Sequence, residues 1–492
     1  MKSDKMHDEC AVVAVYGNKG ASMLCMKMLH MLQHRGPEAS GITIFNNGEL
    51  NTHKGMGWVQ NVYSTELLKK MEGLVGIGHN RYPTCGEGSS IAGDDNINAA
   101  QPHTITSKGG IKIAGASNGD VPRYKYLRER LIKLDYQLKT HNDGEVLVAL
   151  IAYYIDQGND PVEAITALMH DEDLKGAAFS CVFIIDGQLF VFRDPLGFRP
   201  LSLARYGKAY VVASESCAFD IIGADYIRDV FSGEIVQVDD SGERSRGRIN
   251  DRNHYHCVFE WIYFARPDSV MFGSFVSTKR KEFGTKLWES NWKNIIPDLD
   301  QLSGDSLRQR LDEYVVIAIP DSSNSIALGV STASGIPFDI GLIRSHYTGR
   351  SFLATSQKSR QGIVALKFNP DRAVVNGKRV IVVDDSIVRG NTTRKIIRML
   401  RLAGAIEIIV LIGSPPVKFS CLFGIDTPTT AELKASTMSI DEIRLDIEAD
   451  QLYYLTDEQL CECLPKNGTG FCRACFNGDY PYIENIPVEK LK

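Results

Sequence analysis

The run VIVVDDSIVRGNTTRKI, residues 380–396, constrains the fold more than any other stretch of this chain. Four apolar residues, 380–383, lead into Asp384 and Asp385. A strand that is apolar on both faces belongs in a parallel sheet covered by helices on each side. After Gly390 the chain turns, and TTRKIIRMLRLAGA resumes at helical spacing until Gly404 ends it. This order puts two carboxylates at the carboxyl end of a strand and a loop of small residues at a helix N-terminus. Open parallel sheets bind ligands at that end, and the unpaired N–H groups of a helix start bind phosphate. A phosphate beside two carboxylates suggests a sugar phosphate, its hydroxyls and Mg²⁺ held by the aspartates. The plainer alternative is that the aspartates cap the helix and the loop only turns.

A chain of 492 residues exceeds what one core organises, so two or three domains are expected. Net charge is −5 and no basic block stands out, which argues against nucleic acid as a partner. No apolar run reaches the length of a membrane span, and the opening MKSDKMHDE lacks the core of a signal peptide. A cytoplasmic protein without a membrane partner is expected. Eleven cysteines, an odd number spread along the chain, do not make a secreted disulfide framework and leave thiols for catalysis or metal. Up to about residue 247, β-type runs such as CAVVAVYG, SGITIFNNGEL and FSCVFIIDGQLFVFRD alternate with helical stretches, several meeting at Asn-Gly or Asp-Gly turns. That is an α+β layout rich in antiparallel pairs. The polar stretch 239–254 marks a boundary, and from about Tyr314 strands and helices alternate as in a parallel α/β sheet. LSGDSLRQRLDE, residues 302–313, reads as a polar surface insertion.

Cys10 opens the first of the β-type runs, and alone it would be a packing residue. LQHRGPEASGI (32–42), GHNRYPT (78–84), SNGD (117–120) and NDGEVL (142–147) follow in that order. Together they resemble the class II glutamine amidotransferase domain, an Ntn-hydrolase αββα sandwich, here expected over residues 10–247. The resemblance implies that residues 1–9 are a propeptide whose removal leaves Cys10 first. Its α-amino group, with an ordinary pKa of about 7.7–8.0, can then take the proton of its own thiol. Asn118 and the Gly119 N–H would form the oxyanion hole for a γ-glutamyl thioester. Arg81 would hold the glutamine α-carboxylate through its planar fork, and Asp143 the α-ammonium. The bland alternative makes Arg81 and Asp143 solvated loop charges. Ala11 and Ala14 stand where the family's pattern has glycines, Ser117 where histidine is common, and Pro37 where glutamine is usual.

VVDDSIVRG resembles the phosphoribosyl pyrophosphate (PRPP) signature of type I phosphoribosyltransferases. With IPDSSNSIALGVSTASGIPF, HYTGRSFLATSQKSR and FARPDSVMFG the resemblance spans nearly the whole chain and is to the amidophosphoribosyltransferase family. That family makes 5-phosphoribosylamine, glutamate and pyrophosphate from PRPP and glutamine, at the first committed step of purine synthesis. A phosphoribosyltransferase domain is expected over 255–476, with a tail at 477–492. Asp384 and Asp385 would hold the ribose hydroxyls and Mg²⁺. Ser322 would complete the Mg²⁺ side, though it reads equally as a helix cap. Ser386, Arg389, Gly390, Asn391, Thr392 and Thr393 would cradle the 5′-phosphate, with Asn391 where threonine is common. Arg350 would contact pyrophosphate from a loop that closes over PRPP. A dry passage for ammonia, a homotetramer and feedback by purine nucleotides are implied as well.

FCRACFNGDYP sets Cys472 and Cys475 at C-x-x-C spacing, which suits a metal or iron–sulfur centre and also a redox dithiol. Cys257, in YHCVFEWIYFARPDS, and Cys421, in GSPPVKFSCLFGID, lie in segments resembling the iron–sulfur branch of the family. That implies four thiolates for a 4Fe–4S cluster, and zinc would accept the same four. Cys461 and Cys463 compete for the role, while Cys25, Cys85, Cys181 and Cys217 are expected to pack. A second function remains open: a regulatory paralogue that binds PRPP or nucleotide without turnover, suggested by the departures near Cys10.

Overall fold

The computed structural model of the chain describes residues 10–82, 95–249, 254–344, 368–425 and 427–482. Its first half carries strands β1 (Ala11–Tyr16), β2 (Ala39–Asn46), β3 (Glu49–Met56), β4 (Val75–Arg81), β5 (His103–Thr106), β6 (Lys112–Asp120), β7 (Ala178–Ile185), β8 (Gln188–Arg193), β9 (Ser202–Tyr206), β10 (Ala209–Ala213), β11 (Asp225–Asp229), β12 (Glu234–Asp239) and β13 (Gly242–Arg248). They form two sheets, ordered β11-β9-β10-β1-β4-β2-β3 and β13-β12-β8-β7-β6-β5, with antiparallel pairing throughout. Helix α1 (Ala21–Met31) covers the first sheet and α2 (Asp143–Asp156) the second.

Three apolar layers follow from the period of two along each strand. Ala11, Val13 and Val15 of β1 pack under α1, whereas Val12 and Ala14 face the second sheet together with Ile77, Ala114 and Ala116. The methyls of Ala11 and Ala14, where the family's pattern has glycines, are absorbed into these two layers. The result is the αββα sandwich expected from the motif order.

The second half begins with β14 (His256–Cys257) and builds a parallel sheet, ordered β15 (Tyr314–Ala318), β16 (Arg379–Asp384), β17 (Glu407–Ile412) and β18 (Gln451–Tyr454). Val316, Ile381, Val383 and Ile409 pack under helices α3 (Val276–Ile295) and α4 (Asn324–Ser334). Their neighbours Ile317, Val380, Val382 and Val410 pack under α5 (Asn391–Leu402) on the opposite face. The 380–383 run is thus apolar throughout because both of its faces are covered. Strand β19 (Phe471–Cys472) returns to pair in parallel with β14. The helix Gly304–Asp312 buries no residue, as a polar surface insertion should. No helix among the described residues is long and apolar enough to cross a membrane.

The halves meet through buried charge and stacked rings. Arg35, fully buried, is shared between Glu215 of the first half and Glu260 of the second, the latter at 2.5 Å. Glu260 opens a π-helical turn, Glu260–Phe264, a local widening frequent at functional positions. Arg199 reaches Glu260 at 3.5 Å and donates to the Gly424 carbonyl. Beside it Phe198 stacks on Phe423 with 4.1 Å between ring centroids, a pairing worth about 0.5–1.5 kcal/mol beyond its area.

Candidate active site

One end of the space between the two sheets of the first half collects polar side chains. The alternation that turns Val12 and Ala14 into this space also turns Cys10 inward, Ile77 brings Arg81 with it, and Ala114 and Ala116 bring Asn118. Ala11 pairs with Asn80, so Cys10 and Arg81 lie at the same end of the β1–β4 ladder. Asn118 is fully buried, and among the described residues neither its Nδ2 nor its Oδ1 has a hydrogen-bond partner. Such a buried amide is costly unless a ligand satisfies it. Gly119 takes φ +150°, and a Cβ there would lie 1.8 Å from the Ala178 carbonyl oxygen, so only glycine fits. Ser117, in place of the family's common histidine, is fixed through its backbone: its N–H donates to Gln101 Oε1 at 2.8 Å and its carbonyl accepts from Gln101 Nε2 at 3.2 Å.

Asp143 opens α2, where Asn142 caps the helix by accepting the Gly144 N–H at 2.9 Å. The Asp143 carboxylate accepts from Val121 N–H at 3.2 Å and Gly144 N–H at 2.9 Å. Burial raises its pKa, against these bonds and the Arg81 charge. Arg81 lies 3.2 Å from Glu38, whose pKa burial also raises against the guanidinium. His79, two residues before Arg81 on the same face, is pushed down to about 3 by burial and by Arg81, and so stays neutral. A cation and an anion in each other's field, beside an inward thiol, suit the carboxylate and ammonium of a free amino acid.

At the end of β16, Asp384 and Asp385 are buried side by side. Ser322 donates to Asp385, and Ser323 donates to Asp384 at 3.0 Å and to Asp385 at 3.4 Å. Ser386 donates to Asp385 at 2.8 Å, and the Asp385 N–H donates to Asp384 at 2.9 Å. Both serines before α4 are thus turned across the β15–β16 edge onto the acidic pair. Residues 386–390 lead into α5, with Gly390 at φ +70° as its N-cap and Thr393 buried in its first turn. Arg389 pairs with Glu432 at 3.0 Å. This is a two-carboxylate strand end, a turn and a helix N-terminus, as the 380–396 run predicted.

Cys257 and Cys472 face each other in the β14–β19 ladder, and Cys475 sits in the turn of helix Ala474–Asn477. Burial raises the thiol pKa values of Cys257, Cys421, Cys472 and Cys475. Cys475 also feels Cys472, Cys257 and Cys421, and Cys257 feels Cys472 and Cys421. Cys421 and Cys472, like Tyr255 and Tyr480, pack against the buried apolar cluster that holds Phe198 and Phe423. Cys461 instead neighbours Arg473, Asp457 and Glu458, and Cys463 neighbours Glu282 and two lysines. Among the described residues no group of three or more His, Cys, Asp or Glu side chains is gathered to hold a single metal ion. Cys25, Cys181 and Cys217 pack in the cores.

Models of a glutamine amidotransferase domain and a phosphoribosyl transferase domain match residues 89–220 and 290–418. The amidophosphoribosyltransferase of Methanothermobacter thermautotrophicus is 39% identical over 97% of this chain and 95% of that one. The amidophosphoribosyltransferase of Bacillus subtilis is 38% identical over 97% and 94%. The chain belongs to the amidophosphoribosyltransferase family. It is a glutamine-dependent phosphoribosyltransferase of purine biosynthesis. Among solved structures, an allosteric regulatory enzyme of purine biosynthesis matches with a TM-score of 0.84 at 38% identity, over 98% of this chain and 99% of that one. The B. subtilis glutamine PRPP amidotransferase complexed with ADP and GMP matches with 0.84 at 37%, over 98% and 100%.

For this member of the amidophosphoribosyltransferase family, Arg350, Cys85 and residues 1–9 lie outside the described residues. Sequence reasoning singled out Ser322 but not Ser323, which bonds both aspartates; the doubled serine in PDSSNS was the available signal. It also passed over Glu38, Gln101 and Arg280. Arg280 is 1% exposed, donates to the Trp261 and Ala265 carbonyls and lies within the field of Asp385. Nothing local marks these three.

Proposed function

We propose that the inter-sheet site hydrolyses glutamine and passes ammonia to the Asp384–Asp385 site, where it replaces pyrophosphate on PRPP. The amide of buried Asn118, without a partner among the described residues and beside a glycine that admits no side chain, carries this reading. Removal of residues 1–9 frees the α-amine of Cys10. The amine takes the thiol proton, sulfur attacks the glutamine Cδ, and the oxyanion receives hydrogen bonds from Asn118 Nδ2 and the Gly119 N–H. Ammonia leaves with a proton, and water releases glutamate from the thioester. Arg81 and Asp143 orient the substrate through its two α-charges.

Only neutral ammonia is a nucleophile, so a water-excluding passage between the halves belongs to the reading. At the second site the first turn of α5 holds the 5′-phosphate, with Ser386, Arg389 and residues 390–393 around it. Asp384 and Asp385 hold the ribose hydroxyls, and Arg350 neutralises pyrophosphate as it departs; ammonia then attacks the anomeric carbon from the opposite face. Oxygen donors suit Mg²⁺, which takes one or two carboxylates from a protein and the rest from substrate and water; Asp384, Asp385 and Ser322 would hold it, and its charge would help pyrophosphate leave. Four thiolates are the ligand set of a 4Fe–4S cluster, and Cys257, Cys421, Cys472 and Cys475 would hold it. Purine-nucleotide feedback, in line with the ADP- and GMP-bound relative, a homotetramer and a cytoplasmic location complete the proposal.

The test is release of glutamate and pyrophosphate with both substrates present, together with intact mass. Equal release from a chain beginning at Cys10 is expected, and Cys10→Ala should lose glutamine-dependent synthesis while retaining synthesis from added ammonia. Loss of the ammonia-dependent reaction in folded Cys10→Ala would break the two-site division. Full activity with residues 1–9 retained would rule out the amine as base. Binding of PRPP without pyrophosphate release would favour a regulatory paralogue.

A further inference from the structure

The donors of the proposed oxyanion hole belong to the first half, yet the segment behind them belongs to the second. Gly424 takes φ +94°, and a Cβ there would lie 3.1 Å from the Asp120 nitrogen, the Asp120 Cβ and the Gly119 carbonyl carbon. From the other side, the Gly119 α-carbon already abuts the Ala178 carbonyl. The Gly119–Asp120 peptide is therefore gripped between β7 and residue 424 of the other half. Gly424 is itself fixed. Arg199 donates to its carbonyl, Phe423 stacks on Phe198 with 16° between the rings, and Phe423 N–H donates to Cys421 Sγ at 3.3 Å. Ala178, the β7 partner of Asp120, packs in the same apolar cluster as Phe198 and Phe423.

We infer that Phe423 and Gly424 form a positioning element for the glutaminase oxyanion hole, supplied by the phosphoribosyltransferase half. The inference rests on the oxyanion roles proposed for Asn118 and Gly119. Glutamine hydrolysis is then fully competent only when the halves are docked through this contact. The geometry also predicts which step suffers when the contact loosens. Cys10 lies just ahead of β1, and Arg81 and Asp143 stand on β4 and α2, whereas the nearest neighbours of a Cβ at Gly424 are Gly119 and Asp120. Displacing the Gly119–Asp120 peptide turns the adjoining Asn118–Gly119 peptide, whose N–H is the donor needed in the transition state, while Cys10 and Arg81 keep their own supports and Asp143 keeps its bond from the Gly144 N–H within α2. Such a change lowers kcat and not affinity.

The experiment compares Gly424→Ala and Asn118→Ala in the full-length enzyme. It reads kcat and KM for glutamine hydrolysis, the rate of Cys10 alkylation by iodoacetamide, and ammonia-dependent synthesis. Loss of one oxyanion donor typically lowers kcat by about 10²–10³-fold, so Gly424→Ala should lower it by roughly tenfold or more. KM for glutamine, Cys10 alkylation and the ammonia-dependent rate should stay within about twofold, as expected when only transition-state binding is lost. If Asn118→Ala keeps its kcat, the oxyanion reading itself falls and this inference with it. If Asn118→Ala loses kcat and Gly424→Ala does not, the inference alone is overturned. A kcat loss accompanied by a matching rise in KM or fall in the ammonia reaction would mean general loosening and would also overturn it. Should Gly424→Ala not fold, Phe423→Leu, which keeps an apolar side chain and loses the ring stack, should show the same split at about threefold or more; an unchanged kcat there overturns the inference.

Discussion

Asp384 and Asp385 are adjacent carboxylates, 3% and 0% exposed, and their charges repel. The hydroxyls of Ser322, Ser323 and Ser386 and the field of buried Arg280 hold them in place. Each hydrogen bond to a charged group is worth about 1.5–3 kcal/mol, so replacing both residues with Asn should cost roughly 100-fold or more in PRPP-dependent synthesis. The loss should appear equally with glutamine and with ammonia, because both reactions end at this site. Pyrophosphate release measures it, and a double variant working at near-parental rate would place the sugar phosphate elsewhere.

At the scale of elements, β14, β19, the turn Ala474–Asn477 and the loop holding Cys421 are short pieces from distant parts of the chain, brought together around four thiols. Metal binding at a site that does not exist in the unfolded chain is folding energy. Protein purified without oxygen should be brown and carry about four irons per chain. Cys472→Ser should lose iron, colour and thermal stability together, and Cys461→Ser should keep all three. Stoichiometric zinc without acid-labile sulfide would instead assign the thiols to zinc. These pieces also mark how far the sequence could be read. The β16–loop–α5 unit was legible because strand, carboxylates, loop and helix are contiguous, so a short window carries the whole device. The order of Cys10, Arg81, Asn118 and Asp143 was legible through motifs, Cys10 just ahead of a strand, Arg81 and Asn118 on strands and Asp143 at a helix start. Sheet order was not, since antiparallel strands join by pairing partners that no local pattern names. Glu38, Gln101 and Arg280 were hidden for the same reason, their roles coming from contacts across the fold. Arg35 meets Glu260 225 residues further along the chain, and neither residue looks unusual where it stands.

For the whole molecule, the ionic seam between the halves sets the response to acid. Burial alone would push the Glu215 carboxyl up, but Arg35, His34 and Ser269 together outweigh it and hold its pKa far below its ordinary 4.5. A carboxyl whose folded pKa is depressed adds stability above its unfolded pKa and gives it up as pH falls toward the folded value. Removing one partner of a buried pair costs about 3–5 kcal/mol, so Glu215→Gln should lower Tm clearly near neutral pH. The gap between variant and parent should then narrow as pH falls below about 4.5, where the parent loses the same contribution. Calorimetry across that range checks it, and a gap independent of pH would mean that Glu215 acts through packing and not through charge. The seam also bears on how such chains can be recombined. The first half presents Arg35 and Arg199, both almost wholly buried, to acceptors on the second, Glu260 and the Gly424 carbonyl. Grafted onto a different synthase domain, this glutaminase would carry two guanidinium groups into a dry surface lacking those acceptors. Swapping the unit between enzymes therefore requires moving its acceptors along with it.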